Sequence, residues 1–322
     1  MSKSALITGI TGQDGSYLAE LLLSEGYEVY GLVRRTAHQD YRNLQGIMGR
    51  ISILEGDLTD ESSLVNALSV SQPDEVYNLA AQSFVKASFS QPVSTCETNA
   101  IGVVKLLEAV RTTCPSAKVY QASTSELFGN TKICPQNELT PFQPRSPYGY
   151  SKLLAYWAIV NVREAYNVFA CNGILMNHES ERRPMEFVTR KITDGVARIA
   201  HGLQDSITLG TLDTRRDWGY APDYVEAMHL MLQQKTPEDF VIATGVTHTI
   251  ADFCEAAFAW AGIDDWESRV KLDAKFTRPS DVNLLCGDAT KAKEVLGWEP
   301  KTSFSELVAK MVTHDMDRYE NL

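Results

Sequence analysis

The sequence contains no Cys-x-x-Cys pair, although it has six cysteines, at 96, 114, 134, 171, 254 and 286. That spacing builds neither a zinc ribbon nor a compact disulfide framework. It is read as the reduced thiols of a cytoplasmic protein. The six histidines form no His-x-x-x-His or His-Glu-x-x-His pattern, so no metal is expected. No apolar run approaches the ~20 residues that span a bilayer. The opening apolar stretch ends at Gly9, too soon for a secretory leader. Basic residues are in deficit: 30 Lys and Arg stand against 41 Asp and Glu, a net charge of −11. Such a chain repels phosphodiester backbones and anionic membranes, so neither nucleic acid nor a membrane is expected as a partner. Internal repeats, low-complexity tracts and long linkers are also missing.

What remains is 322 residues, 44% hydrophobic and 22% charged, enough for one large α/β unit or two coupled domains. The first half alternates strand and helix signals. Strands are predicted at 4–8, 27–33, 51–54, 75–79, 118–123 and 169–176. Helices are predicted at 14–25, 62–68, 92–111 and 146–166; in the first of them Tyr17, Leu18, Leu21 and Leu22 share a face. Repeated βα units predict an α/β fold, a Rossmann-type doubly wound parallel sheet. After Asn177 the pattern loosens. Short strands at 207–209 and 240–243 mix with helices at 222–233, 250–261 and 303–319. This predicts a smaller mixed α/β lobe on the carboxyl edge of the sheet.

The first strand runs into Gly9, Gly12 and Gly15, spaced as Gly-x-x-Gly-x-x-Gly. Glycines allow a tight turn and close approach of backbone to a pyrophosphate, and the following helix offers its first amides to the charge. The plain alternative is an ordinary βα turn, but both the strand before and the helix after are present. The ribose-reading position at the end of the second strand holds Val33-Arg34-Arg35, with no acid. Arginines there suit the 2′-phosphate of NADP rather than the free hydroxyl of NAD. Asp57-Leu58, after the third strand, is placed beside the adenine, though Asp also serves as a common turn residue there.

Tyr148 and Lys152 form Tyr-x-x-x-Lys on a helix, one turn apart and on one face. A nearby ammonium and an oxidised nicotinamide both favour a tyrosinate, which can take a proton from a sugar hydroxyl. One βα unit earlier, Gln121-Ala122-Ser123-Thr124-Ser125-Glu126 leaves the fifth strand at the sheet edge where α/β sites lie.

Together with Asn78-Leu79-Ala80-Ala81, these motifs resemble the extended short-chain dehydrogenase/reductase superfamily. More narrowly, the chain resembles the GDP-mannose 4,6-dehydratase family through Thr11-Gly12-Gln13-Asp14-Gly15, Leu79-Ala80-Ala81-Gln82-Ser83, Pro144-Arg145-Ser146-Pro147-Tyr148, Asn177-His178-Glu179-Ser180, Phe187-Val188-Thr189-Arg190-Lys191-Ile192, Arg216-Asp217-Trp218-Gly219 and Asp223-Tyr224-Val225-Glu226-Ala227-Met228. The resemblance implies a mechanism. Tyr148 removes the 4-hydroxyl proton of the sugar as hydride passes from C4 to NADP. Glu126 abstracts the C5 proton and protonates the leaving 6-hydroxyl, and hydride then returns to C6. Thr124 bonds the 4-oxygen, and Lys152 holds the cofactor ribose and favours the tyrosinate.

The resemblance further assigns Thr11, Gln13, Asp14, Leu79, Ala80, Ala81, Ser83, His178 and Arg183 to the cofactor. Ser83, Asn177, Val188, Lys191, Arg216 and Arg278 go to the sugar nucleotide. It implies a homodimer or homotetramer. It also divides the chain into an NADP-binding domain (1–176 and about 212–247) and a sugar-nucleotide lobe (177–211 and 248–322). The chain departs from the family pattern at Glu181 and Pro184, at Thr211, at Asp281 and across 36–49. A GDP-heptose dehydratase, a 4-epimerase or a 4-keto reductase on the same fold is the alternative activity, and a non-catalytic NADP-binding regulator the alternative class.

Overall fold

In a computed structural model, which describes residues 2–276, 280 and 282–320, the chain folds around a seven-stranded sheet. The first half supplies β1 (Ser4–Thr8), α1 (Gln13–Ser24), β2 (Glu28–Val33), β3 (Ile51–Glu55), α2 (Glu61–Ser71) and β4 (Glu75–Asn78). It continues with α3 (Val85–Ser90), α4 (Pro92–Cys96), α5 (Gly102–Thr113), β5 (Lys118–Ala122), α6 (Pro147–Tyr166) and β6 (Ala170–Leu175). The second half adds β7 (Asn177–Glu179), α7 (Val188–Ala200), β8 (Ile207–Leu209), β9 (Arg215–Tyr220), α8 (Ala221–Gln233) and β10 (Phe240–Ile242). After these come β11 (Thr247–Thr249), α9 (Ile250–Trp260), α10 (Trp266–Arg269), β12 (Val270–Leu272), β13 (Leu284–Leu285) and α11 (Phe304–Glu320).

The large sheet runs β10-β6-β5-β4-β1-β2-β3. All its pairings are parallel. A strand covered by helices on both faces should be apolar along its whole length, and every residue of β1 and of β6 is buried. The order reverses between β1 and β4, so the crevice at their carboxyl ends is the topological switch point where such sheets bind ligands. One core face packs Leu18, Leu22, Tyr224 and Met228 of α1 and α8, and the other packs Leu64, Leu106 and Ile159 of α2, α5 and α6.

The helix predicted at 92–111 is interrupted. A π turn over Glu97–Ile101 separates α4 from α5. The inserted residue turns Asn99 inward, where its side chain accepts from the Gln82 amide (2.8 Å) and donates to the Gln82 carbonyl (2.9 Å). Such turns often mark functional sites, and this one fixes the backbone beside the cavity described below.

The second lobe centres on β9, which pairs with β7, β11 and β13, while β8 pairs with β12. Helices α7, α9 and α11 close over Ile192, Val196, Phe253, Phe258 and Met311. Two segments cross the division drawn from the sequence. β9, within 212–247, pairs with strands of the smaller lobe, and Ala292, Leu296 and Trp298 pack into the core of the large sheet.

Candidate active site

The glycine turn is held by contacts that leave no room for side chains. Gly9 has a φ of +70°, and a Cβ there would lie 2.9 Å from the Ala80 nitrogen. A Cβ on Gly15 would lie 2.4 Å from the Gly9 carbonyl oxygen. The Thr8 hydroxyl donates to Asn78 Oδ1 (2.6 Å) and accepts from the amides of Leu79 and Ala80, both at 3.1 Å. That clamps the ends of β1 and β4 together. At the start of α1, Gly12 supplies no side-chain cap, so the first helical amides face the crevice as donors for an anion. The turn is thus a cradle of the size and polarity that a dinucleotide pyrophosphate requires.

Gln13 and Asp14 tie this turn to the second lobe. Gln13 Nε2 donates to the His178 carbonyl (3.1 Å), and Gln13 Oε1 accepts from Ser180 Oγ (2.8 Å). His178 Nδ1 lies 2.8 Å from the Met176 carbonyl and Nε2 lies 2.8 Å from Asp14 Oδ2, with the ring stacked on Tyr224. Both nitrogens face acceptors, so the imidazolium form satisfies both. Burial pushes each group toward neutrality, but the mutual attraction wins: His178 is raised from its ordinary 6.5 and Asp14 is lowered from 3.8.

The stability linked to His178 is fully present below pH 6.5 and is lost as pH rises through the raised folded value. That linked to Asp14 is present above pH 3.8 and is lost as pH falls through the lowered one. A His178→Gln change should therefore destabilise the protein more at about pH 6 than at about pH 9. Urea unfolding at the two values measures this, and an equal loss at both would contradict the charged pair.

On the other side of the switch point, Ser146 caps α6 by accepting from the Gly149 amide (3.0 Å), and Pro147 opens the helix. This sets Tyr148 in the first turn and Lys152 one turn later. Thr124 Oγ1 accepts from the Glu126 amide (3.2 Å) and caps a short turn over Ser125–Leu127. Glu126 and Thr124 both lie near enough to Tyr148 to act on its hydroxyl, Thr124 favouring the ionised form and Glu126 opposing it. The four side chains are all buried, Lys152 to 3% exposure and Tyr148 to 9%.

Lys152 is held by the backbone at the end of β5. Its Nζ donates to the Ala122 carbonyl at 2.8 Å and stands 6.0 Å from the Tyr148 ring centre. Burial dominates Tyr148 and pushes it up to about 12, Thr124 lowering it and Glu126 raising it. Burial likewise lowers Lys152 to about 8, with Asp14 opposing.

A single cavity of about 1290 Å³ joins these parts. It is lined by Gly9, Thr11, Gly12, Gln13, Asp14, Gly15, Arg34, Asp57, Leu58, Leu79, Ala80, Ala81 and Ser83 toward the large sheet. Thr124, Glu126, Tyr148 and Lys152 line its middle, and Asn177, His178, Arg183, Val188, Lys191, Thr211 and Arg216 line its second-lobe side. Arg35, exposed one residue after Arg34, is not among the lining residues. Arg278 and Asp281 lie outside the described residues.

Several cavity residues carry no assignment from the sequence. Among the described residues the Ser123 hydroxyl and Gln82 Oε1 are buried with no hydrogen-bond partner. Ser123 was signalled by its place at the end of β5, directly before Thr124. Lys86 and Phe276 come from segments with no local mark of a site.

The departure at Glu181 has a structural reason, shared with the neighbouring Arg182. Glu181 accepts from the hydroxyls of Tyr17 (3.0 Å) and Tyr220 (3.3 Å), and Arg182 bonds Ser16 and Glu20. They fasten α1 to the second lobe rather than line the cavity.

A glycine cradle at the switch point and a buried Tyr-x-x-x-Lys pair beside it define a nicotinamide-dependent enzyme of the extended short-chain dehydrogenase/reductase class. Consistent with that class, the fold superposes on Thermus thermophilus UDP-glucose 4-epimerase in complex with NAD, with a TM-score of 0.85 and 27% identity over 97% of this chain and 98% of that one. The model of the family described as GDP-mannose 4,6 dehydratase matches residues 6–311. GDP-mannose 4,6 dehydratase 1 of Arabidopsis thaliana is 51% identical over 98% of this chain and 90% of its own length. The human GDP-mannose 4,6 dehydratase is 51% identical over 97% and 91%. The chain belongs to the GDP-mannose 4,6-dehydratase family.

Proposed function

We propose that the protein converts GDP-D-mannose to GDP-4-keto-6-deoxy-D-mannose and water, as a step in deoxysugar-nucleotide biosynthesis. The observation that carries this reading is the convergence of Thr124, Glu126 and Tyr148 in one buried pocket. Simple oxidation of a hydroxyl needs one acid/base. Elimination of water needs a second, and Glu126 stands where it can serve. A 4-epimerase or a keto reductase has no use for that carboxylate.

The chemistry supplied by the bound nicotinamide is hydride acceptance at C4 and hydride return at C6. The chain does the rest. Tyr148, raised in pKa by burial, takes the 4-hydroxyl proton once a further positive charge lies beside it. Thr124, beside Tyr148, donates to the 4-oxygen. The C4 ketone acidifies C5–H, and Glu126 takes that proton and gives it to the departing 6-hydroxyl, so that water leaves; when C6 is reduced a proton returns to C5, which balances the one Tyr148 took from the 4-hydroxyl. Lys152 holds the cofactor ribose. His178, Arg183 and the glycine turn hold the pyrophosphate end. Asn177, Val188, Ser83, Lys191, Arg216 and Arg278 hold the sugar nucleotide.

NADP is the cofactor on this reading, because Arg34 lines the cavity past the end of β2. We assign 1–176 and about 212–247 mainly to the cofactor and the remainder mainly to the sugar nucleotide, with β9 presenting Arg216 to the latter. A second copy of the chain fits the face of α5 and α6, where Ile101, Val104, Tyr150, Leu154 and Trp157 expose an apolar patch, Trp157 to 57%. Three buried thiols, Cys114, Cys171 and Cys254, suit a reducing cytoplasm.

The test is turnover of GDP-mannose with substoichiometric NADP and no added reductant. Many equivalents of the 4-keto-6-deoxy product per cofactor are expected, with NAD a poor substitute. A stoichiometric build-up of reduced cofactor would overturn the dehydratase reading.

A further inference from the structure

Three lysines meet at one aromatic ring on the second-lobe side of the cavity. Lys191 of α7 places Nζ 3.6 Å from the centre of the Phe276 ring. Lys275, on the short turn Ala274–Phe276, places its Nζ at 5.1 Å, and Lys86 of α3 places its own at 5.6 Å. Lys86 Nζ also donates to the carbonyl oxygen of Lys275. A residue of the large-sheet lobe therefore holds a turn of the other lobe against the cavity. Among the described residues the only ion-pairing carboxylate in the cluster is Asp273, 2.9 Å from Lys275. Among the described residues Lys86 and Lys191 have no ion-pair partner, and both line the cavity with Phe276.

Gathering like charges is unfavourable unless something of opposite charge joins them. The cost is visible at Lys191, which is lowered by burial and then by Lys275 and Lys86, with Asp273 opposing. Elsewhere the chain carries an excess of acids, net −11, so this local excess of cations is not the general surface. Lys86 and Lys191 sit on helices of different lobes and face the same space. An ammonium has three N–H donors, so Lys86 can keep the Lys275 carbonyl and still offer a charge-assisted bond to a phosphate oxygen.

We propose that Lys86 is a further ligand for the diphosphate of the sugar nucleotide, acting with Lys191 from the opposite side, and that its bond to the Lys275 carbonyl holds the Ala274–Phe276 turn beside the bound phosphates. The proposal rests on the sugar-nucleotide reading above for the nature of the ligand. It adds a contact from the large-sheet lobe, which the sequence reading confines to other residues. Because Lys86 answers to the second phosphate, it discriminates nucleoside diphosphates from monophosphates.

The experiment is calorimetric titration of the native protein, Lys86→Gln and Lys86→Arg with GDP, GMP, UDP and dTDP, alongside turnover of GDP-mannose. Lys86→Gln should weaken GDP binding by about tenfold or more, as expected for a lost bond to a charged group. It should weaken GMP less than threefold and raise KM for GDP-mannose far more than it lowers kcat. Lys86→Arg should restore most of the GDP affinity. Equal losses for GDP and GMP, no loss of GDP affinity, or an Arg variant as weak as the Gln variant would each overturn the role of Lys86. If the native protein turns over GDP-mannose and Lys86→Gln binds GDP normally, the function stands and only this proposal falls. If UDP or dTDP binds in place of GDP and Lys86→Gln weakens it, the substrate reading falls and Lys86 keeps its role. If no nucleoside diphosphate binds, both fall.

Discussion

Glu126→Gln should lower turnover of GDP-mannose by ~10²–10⁴-fold, the usual contribution of a positioned acid/base. The amide keeps the shape of the side chain, and the main-chain bond from the Glu126 amide to Thr124 is untouched, so the pocket should hold its form. Oxidation at C4 does not need this carboxylate. The variant should still show reduced-nicotinamide absorbance on the enzyme and then stop. The bound sugar should be a 4-keto hexose that retains its 6-hydroxyl. Stopped-flow absorbance and mass analysis of the quenched sugar read both features. Exchange of the C5 hydrogen with solvent should fall with turnover. Native-rate exchange in this variant would mean that another group is the base.

Tyr148→Phe should lose turnover by a comparable ~10²–10⁴-fold but stall one step earlier, with no reduced nicotinamide on the enzyme. The ring remains to fill a site that is 9% exposed, and only the hydroxyl is removed. The two variants therefore separate the acid/base work at C4 from that across C5 and C6. If Tyr148→Phe accumulates reduced cofactor as Glu126→Gln does, Tyr148 is not the group that takes the 4-hydroxyl proton.

The large sheet was legible because its signals are local. The apolar run 4–8 is β1 residue for residue, and Gly9, Gly12 and Gly15 could be placed because a strand precedes them and a helix follows. The Tyr148–Lys152 spacing needed only the period of a helix. The second lobe was harder to read for physical reasons. β7, β11 and β12 have three residues each, too short to show alternation. β9 reads Arg-Arg-Asp-Trp-Gly-Tyr, a charged string, yet Arg216 and Asp217 are buried in it because the Asp217 carboxylate is met by the amides of Thr244, Gly245 and Gly287. The helix α7 carried a readable stripe, Ile192, Val196 and Ile199, that was passed over. The state of Tyr148 could not be read from spacing, because it depends on burial and on where Lys152 points. Lys86 and Phe276 meet only through tertiary structure, 190 positions apart in sequence.

The central claim is that oxidation, elimination and reduction occur on one sugar in one pocket without release of the hydride between steps. GDP-mannose carrying deuterium at C4 tests it most directly. The account predicts that the product, analysed by NMR after many turnovers with substoichiometric NADP, carries that deuterium at C6. Loss of the label to solvent, or its accumulation in free reduced cofactor with none at C6, would contradict it.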